Sequence, residues 1–196
     1  MSQIENLNKH NTNCFNIDLS LCKFLGQGRN GKVYLLPNGK ALKIFFKEEN
    51  CKHEYEILKS VEGNKYFPKV YEYSSNCMLR DYIGGILIKN YIKEYGLSVN
   101  LAKNLIELIE DFRNLDFTRL DIRCEHIFIQ QDETIKIIDP RQTYTKVIPY
   151  PHSILKTLNK LGVLDDFFNI LKNTNIKLYE DWDTIYLYDK NNDIHY

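Results

Sequence analysis

Two aspartates, a lysine and a glutamate are the residues of this 196-residue chain whose types and spacing could do chemistry. Asp121 lies in Arg119-Leu120-Asp121-Ile122-Arg123-Cys124-Glu125-His126, a polar loop that runs into the apolar stretch Ile127-Phe128-Ile129. The polar residues 130–134 separate that stretch from Ile135-Lys136-Ile137-Ile138, and Asp139 follows directly. Two short β-branched runs flanking a polar turn predict a buried β-hairpin. Such a hairpin is a stiff arm that fixes one acid relative to the other. One carboxylate that takes a hydroxyl proton and another that holds a metal are the minimum for moving a phosphoryl group.

The other half of such chemistry would lie upstream. Gly26, Gly28 and Gly31 fit the pattern Gly-x-Gly-x-x-Gly-x-Val, closing on Val33. The last glycine leads into strand residues and a tight turn at Pro37-Asn38-Gly39, whereas in a dinucleotide-binding fold it would open a helix. The glycines therefore belong to a hairpin, a flap whose backbone amides can lie over phosphates. Lys43 follows in Ala41-Leu42-Lys43-Ile44-Phe45, a run that otherwise calls for burial. Taken alone, Lys43 reads as the solvent face of an edge strand. A buried ammonium needs a carboxylate partner. Helical spacing supplies one, because Cys51, Glu54, Ile57, Leu58 and Val61 share a face over about 49–61.

The elements that must position these residues follow from the same patterning. Strands are expected at 66–73 and 77–83, with Gly84-Gly85 as a hinge and boundary. Ser98 caps a helix through Leu101, Leu105, Leu108, Ile109 and Phe112. Past the acidic hairpin, helices are expected near 153–160 and 163–172, split by Gly162. The tail around Trp182 fits either a packed helix or an extended segment. Residues 1–19 read as a poorly ordered or loosely docked lead-in, 20–83 as one lobe and 84–196 as a second.

Composition narrows the classes. The 26 basic and 26 acidic residues cancel, which gives no sign of a nucleic-acid or membrane partner. There is neither a signal-peptide core nor a membrane-length apolar run. Five scattered cysteines with no Cys-x-x-Cys read as reduced thiols of a cytoplasmic protein.

Taken in order, these features resemble the protein-kinase superfamily over about residues 20–145. Gly26–Val33 is similar to the kinase glycine loop and Ala41-Leu42-Lys43 to Val-Ala-Ile-Lys. Asp121 and His126 stand five apart, as Asp and Asn do in His-Arg-Asp-x-x-x-x-Asn, and Asp139 stands where Asp-Phe-Gly begins. The resemblance implies an α+β, two-lobed kinase-like fold with an antiparallel-sheet N-lobe, one helix in it, and a reduced, mainly helical C-lobe. It implies ATP as cofactor, with Mg²⁺ or Mn²⁺. Gly26, Gly28 and Gly31 would drape the phosphates, and Val33, Ala41 and Phe128 would sandwich the adenine. Asp81, Tyr82 and Ile83 would bond it through the backbone, and Lys43, oriented by Glu54, would hold the α- and β-phosphates. Asp139 and His126 would bind metal, Asp121 would take the acceptor's proton, and Arg123 would neutralise the transferred group.

The departures point to a branch. Leu120 stands where regulated kinases carry arginine, Asp139-Pro140-Arg141-Gln142 replaces Asp-Phe-Gly, and no Ala-Pro-Glu follows. The chain thus resembles minimal RIO-type and small bacterial serine/threonine kinases without a regulated activation segment, acting on a protein substrate and capable of autophosphorylation. His126 replaces an amide, and imidazole suits Mn²⁺ better than Mg²⁺. A pseudokinase that works through a protein partner, and a small-molecule kinase of the aminoglycoside or choline type, are the alternatives.

Overall fold

The computed structural model describes residues 14–140 and 147–192, so Arg141, Gln142 and most of the lead-in lie outside the described residues. Among them the fold is α+β, with a five-stranded antiparallel sheet, a three-stranded one and six α-helices. The chain divides into two compact units, one holding residues up to 59 and 69–82, the other 60–68 and everything from 83 on.

In the first unit, β1 (Lys23–Gly28) and β2 (Gly31–Leu35) form a hairpin closed by Arg29 and Asn30. After a turn at Gly39, β3 (Lys40–Phe45) pairs with β2, and β5 (Cys77–Asp81) joins β3 to β4 (Val70–Tyr73), giving the order β1-β2-β3-β5-β4. Alternation gives the sheet two faces. On the rear face Leu36, Leu42, Cys77 and Leu79 form a core covered by residues 14–22, with Cys14 buried among them. The start of the chain from Cys14 is therefore docked, not loose. The expectation of uniformly reduced cysteines is also corrected, since Cys14 and Cys77 form a disulfide across this face. No spacing rule links residues 63 positions apart; the sheet brings them together. On the front face lie Ala41, Lys43, Met78 and Arg80, with α1 (Glu48–Ser60) bringing Glu54 to Lys43. The helical stripe is as expected: Cys51, Glu54, Ile57, Leu58 and Val61 are all buried.

The expected strand over 66–73 is shortened at its start. Strand β4 begins at Val70, while Tyr66 and Phe67 belong to the second unit. Phe67 stacks on Phe112 and meets the edge of Phe117, and the Tyr66 carbonyl accepts from Ile137 N–H. Aromatic burial has outweighed strand propensity here.

The second unit opens with β6 (Ile86–Leu87), which runs into α2 (Ile88–Tyr95). Its central helix, α3 (Val99–Asn114), starts at Ser98, whose Oγ accepts from Leu101 N–H at 2.9 Å. The expected hairpin is β7 (Ile127–Ile129) with β8 (Ile135–Ile137), and β6 adds a third strand. Helices α4 (His152–Lys160), α5 (Leu164–Thr174) and α6 (Ile176–Asn192) complete the unit. The tail is thus a packed helix, with Trp182 fully buried and parallel to the ring of Phe167.

Candidate active site

The residues singled out fall into two groups, each organised by its own unit. In the first, Lys43 Nζ donates to Glu54 Oε2 at 2.6 Å, with Lys43 6% and Glu54 0% exposed. The ammonium also lies 4.6 Å from the centre of the Phe45 ring. Strand alternation turns Lys43 and Phe45 to one face, and α1 meets that face with its inward acid. Burial of this kind requires the pair. The edge-strand reading of Lys43 is excluded, since β3 is the central strand of five.

Around this pair, Val33 stands opposite Lys43 on β2 and is half-buried, while Ala41 is buried. The three glycines differ in their reasons. A Cβ on Gly31 would come within 2.2 Å of the Ile44 carbonyl oxygen, so close packing excludes any side chain. Gly26 and Gly28 face open space, which leaves their backbone approachable. The Asp81 N–H is bonded to Lys69 O, and its carboxylate accepts from Lys69 N–H and Tyr71 Oη, so Asp81 has no N–H to spare for a ligand. Tyr82 is exposed and Ile83 half-buried. The Cys51 thiol beside this group is pushed up to about 12, chiefly by burial and then by the Glu54 carboxylate, so it is an inert neighbour.

In the second group Asp121 is 5% exposed. Its Oδ1 accepts from Ser153 N–H at 2.6 Å, and its Oδ2 from Ser153 Oγ at 3.2 Å and Arg119 Nη2 at 3.0 Å. Arg119 also donates through Nε to the Asp121 carbonyl. Neither Arg119 nor Ser153 stood out in the sequence. Ser153 lies at the start of α4, and nothing local links it to residue 121. Arg119 stands one position before Leu120, so a motif read strictly by position passes over it. Arg123 is exposed.

The hairpin links the backbones that carry His126 and Asp139. Ile138 N–H donates to the His126 carbonyl, so Asp139 directly follows a residue tied to His126. Asp139 has φ 57°, a left-handed conformation that Asp tolerates better than most residues and that often marks functional positions. Phe128 is half-buried on β7, between Leu87 and Lys136. Among the described residues no group of three or more His, Cys, Asp or Glu side chains could hold a metal. One carboxylate and one imidazole are too few for a closed protein cage, and a cation held by them would need further ligands from elsewhere, the imidazole suiting Mn²⁺ better than Mg²⁺. Among the described residues, no helix is long and apolar enough to cross a membrane.

No protein-family model matches the chain. Among curated proteins it is similar to one of serine/threonine-kinase type. That relative is the Bacillus subtilis (strain 168) protein named "Putative serine/threonine-protein kinase YrzF", 26% identical over 121 residues. The match covers 59% of this chain and 56% of the relative, so the chain spans little more than half the length of the curated protein it matches. This supports a kinase-like relationship at a coarse level.

Proposed function

We propose that the chain is a minimal kinase-like phosphotransferase that uses a nucleoside triphosphate, ATP by the family resemblance, with Mg²⁺ or Mn²⁺, to phosphorylate Ser/Thr-type hydroxyls of a protein. Autophosphorylation is included in this reading. The observation that carries it is the buried Lys43–Glu54 pair, 2.6 Å apart, on a sheet whose first hairpin bears the three glycines. A lysine held at its head by a glutamate is a fixed point charge suited to phosphate oxygens. In the first unit, Gly26 and Gly28 leave backbone approachable for phosphates, and Val33 and Ala41 offer an apolar seat for the base.

The second unit carries the transfer residues. The bond from the γ-phosphorus to the β,γ-bridging oxygen breaks, and a bond from the acceptor hydroxyl to that phosphorus forms. The hydroxyl proton passes to Asp121, and the nucleoside diphosphate leaves. A carboxylate offers about four acceptor positions. Three are taken by Ser153 and Arg119, which leaves one for the hydroxyl. A divalent cation held by Asp139 and His126 would neutralise phosphate charge.

One observation favours a second reading, a protein that binds nucleotide without turning it over. The Asp121 side chain is 2% exposed and already receives three hydrogen bonds. A carboxylate so enclosed leaves an incoming hydroxyl little room to reach it. The test incubates the full chain with γ-labelled ATP or GTP and Mg²⁺ or Mn²⁺, beside Asp121→Asn and Asp139→Asn. Asparagine is chosen at 139 because it tolerates the left-handed backbone there. Label on the protein that both substitutions abolish supports transfer. A rise in melting temperature with nucleotide but no label favours the second reading, and no rise with either nucleotide overturns both.

A further inference from the structure

We propose that Arg80 reads the base and makes the nucleotide site prefer a purine with a 6-oxo group, guanine or hypoxanthine, over adenine. The inference rests on the nucleotide-binding reading above and narrows it. Arg80 pairs across the sheet with Ala41 of β3 and Val70 of β4, and alternation along β5 sets it on the same face as Met78, the partner of Lys43. It is 4% exposed, yet neither Nε nor Nη1 has a hydrogen-bond partner among the described residues. The neighbouring Asp81 carboxylate accepts from Lys69 N–H and Tyr71 Oη, and alternation sets it on the opposite face. A guanidinium is donor-only, so two donors on the front face call for an acceptor that no described residue gives them.

The acceptor's position decides its chemistry. Lys43 and Arg80 stand opposite Met78 and Ala41, so along the strands the two cations are one side-chain repeat apart. If Lys43 takes the phosphates, a base seated on Ala41 brings an edge to Arg80, because directly opposed strand residues lie about 4.5–5.5 Å apart. Adenine would present its amino group as a donor against a donor. Guanine and hypoxanthine present O6 and N7, two acceptors that a guanidinium meets bidentately.

The test is calorimetric titration of the full chain with ATP, GTP and ITP in Mg²⁺, for wild type, Arg80→Met and Arg80→Gln. Methionine removes a buried charge at similar length and is expected to fold; melting curves check this. Wild type should bind GTP and ITP about tenfold or more tighter than ATP, the range of one bidentate base contact. Arg80→Met should erase the preference. Arg80→Gln should turn it towards ATP, since an amide pairs with the amino group and N7 of adenine. Wild type that binds ATP as well as GTP overturns the inference and leaves nucleotide binding standing. So does an Arg80→Met variant that weakens all three equally, which would make Arg80 a phosphate ligand. Failure to bind any of the three would overturn the nucleotide reading itself.

Discussion

At the scale of single residues, the Lys43–Glu54 pair separates stability from function. Removing one partner of a buried ion pair strands the other, at a cost of about 3–5 kcal/mol. Replacing both with apolar residues of similar size is often neutral or stabilising. Chemical denaturation should therefore show Lys43→Met or Glu54→Leu alone strongly destabilised, and the double variant near wild type. If the pair serves phosphates, that stable double variant should nonetheless lose nucleotide binding. A double variant that binds as wild type does would make the pair purely architectural. The pairing was legible in the sequence because a helical stripe with an acid on it and an apolar strand with a lysine in it each lacked something the other had. The surroundings of Asp121 were not, because Ser153 reaches it through tertiary packing across 32 positions.

At the scale of elements, the turn between β7 and β8 is held by the start of α3. The Glu133 carboxylate accepts from Ser98 Oγ at 2.7 Å and Asn100 Nδ2 at 2.7 Å, and Asn104 bonds its carbonyl. The Ser98 and Asn100 donors hold the Glu133 carboxyl below the usual glutamate range. A lowered folded-state value adds stability above the unfolded value, lost as pH falls through the folded one. Glu133→Gln should thus lower the melting temperature at pH 7, with the gap to wild type closing below about pH 4. A gap unchanged down to pH 3 would mean the charge is irrelevant. Helix and hairpin were both readable from periodicity and the Ser98 cap. Their connection was not, since a glutamate in a polar turn carries no mark of its partners. Residues 66–68 misled for the opposite reason, being strand-like in type but claimed by an aromatic cluster.

At the scale of the whole molecule, the sequence supported an α+β chain with an antiparallel sheet early and helices late, which is the order of elements found. It did not reveal the Cys14–Cys77 bridge, because cysteine arithmetic sees spacing and not a sheet face. That bridge also removes the argument from cysteine usage for a reducing compartment.

The rear face carries a further consequence. Leu36, Leu42 and Leu79 stay dry because Cys14, Phe15, Ile17 and Leu19 lie over them. A polypeptide shortened to begin at Lys23, the first residue of the sheet, would keep every strand while uncovering an oily wall. Such walls recruit one another. Light scattering of that shortened chain should report more self-association than the 196-residue chain shows at the same concentration, because trimming to the first strand removes the lid that keeps the sheet from its own copies.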